Sequence, residues 1–195
     1  MKEPQKLPKS LSVEQVKALK YALLSVFKPE TFNGFRDFAI FQTLLYTGIR
    51  RKELLDLEPS DLNLYERNLC IRNGKGGKGR NVPVCDQLLP ILLDYSKVLM
   101  EQHPEATRLF PSKNDYALGE RNLRNIFDKV KAKLAFPLSP HRLRHTFATE
   151  LVRNDLDIFN IASVLGHSSV KTTQIYLTAN TESINRKISS LRLYS

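Results

Sequence analysis

Ser139-Pro140-His141-Arg142-Leu143-Arg144-His145-Thr146-Phe147-Ala148-Thr149 is the stretch on which the reading of this chain turns. Ser139 is a good N-cap and proline suits the first helical turn. The spacing therefore predicts a helix from Pro140 with His141 and Arg144 on one face, near its positive end. A helix start supplies unpaired N–H groups, a guanidinium supplies a planar fork matched to phosphate, and an imidazole exchanges a proton near neutral pH. Together they outline an anion site, although a lone His-x-x-Arg is more often a solvated helix face. Leu165-Gly166-His167 and Thr172-Thr173-Gln174-Ile175-Tyr176 follow, so three of the four histidines and one tyrosine gather in this part of the chain.

Composition narrows the partners. A chain of 195 residues holds one well-buried domain, or a main domain with an arm. Hydrophobic residues at 42% and charged residues at 26% are globular values. Thirty Lys and Arg against twenty Asp and Glu give a net charge of +10, which favours a polyanion, and double-stranded DNA in the first place. The basic residues are dispersed, not gathered on one amphipathic face, and no apolar run reaches spanning length, so a membrane partner is disfavoured. The N-terminus lacks the apolar core of a signal peptide, which points to the cytoplasm. Cys70 and Cys85 are too few for a disulfide scaffold or a zinc site, and read as reduced thiols at strand positions. No metal or cofactor is expected.

Residues 1–10 carry prolines and lysines without apolar periodicity, and read as a linker-like arm; the domain proper spans 11–195. Ser12 and Gln15 form a capping box with Leu11 and Val16 as its hydrophobic staple, opening a helix to about Phe27. An Asn33-Gly34 turn precedes a second apolar helix, Phe35 to Tyr46, stopped by Gly48. Arg50 follows on a loop, with Glu53 three residues on to pair with it and fix its fork. At Asn68 the period changes to that of strands. Residues 68–72 and 80–84 flank Asn73-Gly74-Lys75-Gly76-Gly77-Lys78-Gly79, a hairpin with a long basic tip. Helices are expected over 86–102 and about 120–134, the second carrying Arg121 and Arg124 on a basic face suited to a duplex. After the Pro140 helix, with Leu143, Phe147 and Leu151 on its core side, Asp157 caps another that ends at Gly166. A short helix holds Tyr176, and a tail helix near 182–191 presents Ile184, Ile188 and Leu191. The fold class is α+β, mainly α-helical, with a small antiparallel β-sheet.

Arg50, Lys75, His141, Arg144, His167 and Tyr176 are the parts needed to cleave a phosphodiester without metal. Two guanidiniums neutralise charge on the non-bridging oxygens, a phenol oxygen attacks phosphorus in line, His141 is the natural base, and a lysine on a mobile loop protonates the departing sugar oxygen. Lys78, Arg80, Arg121 and Arg124 are the expected DNA contacts. Thr47-Gly48-Ile49-Arg50 with Glu53, the Gly-Lys-Gly hairpin, Pro-His-x-Leu-Arg-His-Thr-Phe-Ala-Thr, Leu-Gly-His-x-Ser and Tyr176 nine residues beyond His167 resemble, in order and spacing, the tyrosine recombinase (phage integrase) family, from Leu7 to about Leu191.

The resemblance implies that these six residues are the catalytic set, that the covalent link is to a 3′-phosphate, and that a free 5′-hydroxyl attacks it during strand exchange. It also implies assembly as a homotetramer on DNA, with the tail helix of 181–195 passed to a neighbour. His167 stands where some members have Trp, which suggests packing and one hydrogen bond more than proton transfer. Family members usually carry an N-terminal helical domain that clamps the other face of the duplex. The linker-like start here favours a catalytic domain separated from such a partner over a single-domain member like the fimbrial-switch invertases. A DNA-binding regulator with little chemistry and a type IB topoisomerase-like relaxing enzyme are the alternative readings.

Overall fold

Helix α1 (Val13–Val26) begins where its capping box closes: the Ser12 hydroxyl accepts from the Gln15 N–H at 3.2 Å, and the Gln15 side chain accepts from the Ser12 N–H at 3.1 Å. The computed structural model describes residues 10–72, 79–112 and 117–166. Leu11 is buried and donates its N–H to the Thr146 hydroxyl at 2.9 Å, which ties the start of the domain to the Pro140 helix.

Helix α2 (Phe32–Thr47) runs through the middle of the core, with Ala39, Ile40, Phe41 and Leu44 fully buried. It starts earlier than the sequence suggested. Thr31 is its N-cap, and Asn33-Gly34 lies inside the first turn, not in a preceding turn. A Cβ on Gly34 would sit 2.0 Å from the Lys28 carbonyl oxygen, so the glycine serves the close approach of the incoming loop. Gly48 ends α2 in the left-handed conformation, φ 60°, as expected. Arg50 is then the N-cap residue of a short helix, α3 (Arg51–Asp56), rather than part of an extended loop.

Three strands follow in the order β1 (Leu62–Asn63), β2 (Asn68–Ile71), β3 (Arg80–Pro83), all antiparallel, with Asn68 opposite Pro83 and Ile71 opposite Arg80. The two longer strands match the expected hairpin, and its tip lies outside the described residues. Cys70 is in β2, whereas Cys85 lies beyond the end of β3.

Helix α4 (Leu89–Gln102) starts at Leu89 instead of Asp86, because Pro90 belongs to a first turn where no N–H is needed. Tyr95 on α4 is fully buried and donates its hydroxyl to the Leu109 carbonyl at 2.8 Å. Helix α5 (Glu120–Lys131) buries Leu123, Ile126, Phe127 and Val130 as its periodicity predicted, and Phe127 packs on Phe41 with ring centroids 4.3 Å apart.

Helix α6 (Pro140–Arg153) is capped by Ser139, whose hydroxyl accepts from the Arg142 N–H. Its buried side includes Leu143, Arg144, His145, Ala148 and Val152, a wider face than the Leu143, Phe147 and Leu151 stripe. Helix α7 (Ile158–Leu165) starts at the Asp157 cap and ends at Gly166, φ 64°, both as predicted. Between α6 and α7 sits a small second core of Ala148, Val152, Ile161 and Leu165, flanked by Phe147 and Leu151. The short helix with Tyr176 and the tail helix lie outside the described residues. Among the described residues no helix is long and apolar enough to cross a membrane.

Candidate active site

Three guanidiniums, from three separate elements, meet at the carboxyl end of α7. Arg144 of α6 donates from Nη1 to the Gly48 carbonyl at 2.6 Å and from Nη2 to the Leu165 carbonyl at 2.7 Å. Arg50 donates from Nη2 to the Gly166 carbonyl at 2.7 Å and from Nη1 to Glu53 Oε1 at 2.7 Å. Arg80 of β3 donates from Nε to the Val164 carbonyl at 2.8 Å. The last carbonyls of a helix have no partner within it and carry the negative end of its dipole, so cations are favoured there.

Local sequence explains each placement. Gly48 turns the chain sharply out of α2 and delivers Arg50 to the start of α3, where Glu53 is one turn away. Arg144 lies one turn into α6, on the side packed against α2. Gly166 turns the chain out of α7 directly before His167.

Glu53 is the anionic hub. Its Oε1 accepts from Arg50 Nη1 and from Arg80 Nη1 at 2.9 Å, and its Oε2 accepts from the Arg50 backbone N–H at 2.8 Å and from Arg80 Nη2 at 2.8 Å. Burial alone would raise its pKa, but hydrogen bonds from Arg80 and Arg50 and the Arg80 charge outweigh burial and hold the carboxyl at about 2. The predicted Arg50–Glu53 pair is therefore present. Sequence reasoning missed that the carboxylate is shared.

Arg80, expected from the sequence to be a DNA contact, has a side chain only 9% exposed that forms a two-point fork on Glu53. Arg50 keeps 29% of its side chain exposed, so of the two partners of Glu53 it is the one with an open side.

His141 is exposed at the start of α6, three residues from Arg144. Its ring lies 6.2 Å from that of the buried His145, whose pKa is lowered by burial and by the nearby His141. Arg121 and Arg124 are exposed on α5, as predicted. Arg124 lines a cleft of about 160 Å³ with Arg51, Lys131 and Pro140, and Arg51 is held at that cleft by a 2.9 Å ion pair to Glu120. Lys75, Lys78, His167 and Tyr176 lie outside the described residues.

The sequence matches the Phage integrase family over residues 9–183. The chain belongs to this family. A tyrosine recombinase XerA of Pyrococcus furiosus is 35% identical over 175 residues, covering 90% of this chain and 59% of that protein. A tyrosine recombinase XerD of Staphylococcus saprophyticus is 33% identical over 180 residues, with the same two coverages. The chain thus spans about three fifths of the length of these phage integrase family relatives. The crystal structure of a XerA recombinase superposes with a TM-score of 0.79 at 34% identity, over all of this chain and 68% of that one. A XerH site-specific recombinase bound to its difH substrate in a pre-cleavage complex shares the fold, with a TM-score of 0.73 at 24% identity over 88% of this chain and 51% of that one.

Proposed function

We propose that this chain is the catalytic domain of a site-specific DNA recombinase that cuts and rejoins strands through a 3′-phosphotyrosyl intermediate. The observation that carries the reading is the convergence of Arg50 and Arg144 on the end of α7, with the exposed His141 three residues before Arg144 on α6, in a chain of the phage integrase family. Two guanidiniums fixed by carbonyls and one carboxylate form a preorganised cationic seat for a phosphate that gains negative charge in a five-coordinate transition state.

In this reading the Tyr176 oxygen attacks phosphorus in line and the bond to the 5′-oxygen breaks. His141 takes the phenolic proton, which a group of pKa about 10 does not release unaided at neutral pH. Lys75 gives a proton to the departing 5′-oxygen. The phosphotyrosine keeps the energy of the broken ester, and attack by a 5′-hydroxyl reverses the step on the same or a new strand. Arg121 and Arg124, with Arg51 beside them and Lys78 on the hairpin tip, contact the flanking duplex. Names of relatives such as XerA and XerD support the recombinase assignment, and a homotetramer on DNA is part of the proposal.

The test is covalent trapping. The chain is incubated with a pool of nicked duplexes of randomised sequence, 5′-labelled on the cleaved strand, and adducts that survive denaturation are digested and mapped. A DNA-linked peptide containing Tyr176 is the expected result. Binding without adduct would reassign the chain as a DNA-binding regulator, and relaxation of supercoils without recombinants would favour a topoisomerase.

A further inference from the structure

We infer that Arg80 is a positioning residue of this site, one that sets the geometry of Arg50 through Glu53 without touching the DNA. The inference rests on the reading under Proposed function. Three observations carry it.

The first is commitment of the side chain. Nε is spent on the Val164 carbonyl, and Nη1 and Nη2 form a fork on the two oxygens of Glu53, in a side chain only 9% exposed. A phosphate reaching Arg80 would have to displace a buried carboxylate whose charge-assisted bonds are already short and paired.

The second is the sharing of Glu53. Arg50 takes Oε1 with its side chain and Oε2 with its backbone N–H, while Arg80 takes both oxygens from the other side. The carboxylate plane is thereby fixed from two directions, and the Arg50 fork inherits its orientation from the Arg80 fork.

The third is contact with Gly166. A Cβ placed there would lie 2.7 Å from Arg80 Nη1, 2.8 Å from Cζ and 3.0 Å from Nε, so the guanidinium lies directly against the α-carbon of the residue that precedes His167. Arg80 is also the first paired residue of β3, opposite Ile71, and follows in sequence the segment bearing Lys75. One side chain therefore joins the start of β3, the counter-ion of Arg50 and the end of α7.

The experiment compares wild type, Arg80→Met, Arg80→Lys, Glu53→Gln and the paired Arg80→Met/Glu53→Gln on one nicked duplex, selected by the wild-type chain from the randomised pool. Single-turnover attachment is measured at saturating protein, and duplex affinity is measured across a salt series. Arg80→Met should slow attachment by about 10- to 100-fold, the loss typical of a residue that orients a reacting group through another. Affinity and its salt dependence should stay at wild-type values, and Arg80→Lys, which keeps the charge but not the fork, should recover only part of the rate.

The paired variant removes both partners of the buried pair, so it stays informative if Arg80→Met alone folds poorly. Its rate loss should match that of the slower single variant, not the product of the two. A salt slope reduced by about 0.9 in Arg80→Met would make Arg80 a phosphate contact and overturn the inference. Wild-type attachment rates in folded Arg80 variants, or independent multiplying losses in the paired variant, would also overturn it. If the wild-type chain forms no adduct with any member of the pool, the recombinase reading fails and the positioning role falls with it.

Discussion

Gly48→Ala tests whether the junction of α2, α6 and α7 is as tight as the site requires. An alanine at φ +60° is left-handed, which costs about 1–2 kcal/mol for a residue bearing a Cβ. The added carbon would lie 2.5 Å from Phe147 Cδ1 and 3.2 Å from Leu165 Cδ2, an overlap that only movement of α6 or the Phe147 ring relieves. Overpacking of that kind costs about 1–3 kcal/mol, so the whole change should destabilise by roughly 2–5 kcal/mol. For a domain of this size each kcal/mol is worth about 2–4 °C, so thermal unfolding by circular dichroism should fall by roughly 4–20 °C. The same change reaches the site, because the Gly48 carbonyl holds Arg144 Nη1 and Phe147 is one turn from Arg144 on α6. Attachment to nicked DNA should slow even at temperatures where the variant is folded. Adding Phe147→Leu trims the ring edge and should recover the packing part while leaving the backbone part. A loss below about 1 kcal/mol, or no recovery in the double variant, would show that the overlap is relieved elsewhere and refute the reasoning.

Tyr176→Phe should abolish covalent attachment and leave duplex binding near wild type, since only the attacking oxygen is removed; an adduct that persists and maps to Tyr194 would sink the assignment. Lys75→Ala should cleave slowly and be rescued on a substrate whose 5′-bridging atom is sulfur, because a thiolate departs without a proton, and equal defects on both substrates would remove the general-acid role. Glu53 has a folded pKa of about 2, below its unfolded value, so its contribution to stability is present above the unfolded pKa of about 4.3 and is lost as pH falls towards 2. Urea midpoints measured between pH 5 and 2.5 should therefore fall less steeply in Glu53→Gln than in wild type, and parallel curves would contradict the shared-carboxylate arrangement.

What was legible in the sequence was what is decided within a few residues. Ser12 with Gln15, Gly48, Asp157 and Gly166 mark their helix ends because caps act on the adjacent backbone, whatever packs around them. The Arg50–Glu53 pair was readable for the same reason, as both ends lie within one turn. Asn33-Gly34 misled because the pair usually marks a turn. Here the glycine answers to the Lys28 carbonyl pressed against it, a contact that has no periodicity to reveal it. Strand β1 has two residues, too few for an alternation to register. The burial of Arg80 was invisible for a different reason: a charged residue beside a Gly-Lys loop reads as surface until the fold brings Glu53 and Val164 to it from 27 and 84 residues away. The candidate site is thus legible as a set of residue types, while the division between groups that face the phosphate and groups that hold them belongs to the tertiary structure.

That division has a physical logic in the choice of partners. A guanidinium held only by carboxylates would be fixed in place but electrically spent, because each carboxylate cancels the charge that a phosphate is meant to meet. Among the described residues, these three guanidiniums share the Glu53 carboxylate and the neutral carbonyls of Gly48, Val164, Leu165 and Gly166 as acceptors. Carbonyls at a helix end and beyond it orient the forks and offset part of the cost of burying them, yet they leave net positive charge at the site. Glu53 is placed where that charge is least useful, with both oxygens on the part-buried Arg80 and one side-chain bond to Arg50. Substituting an acidic residue near the end of α7 would therefore be more damaging than its effect on stability suggests, because it would hold the arginines as well as the carbonyls do while removing the field that makes them an anion site.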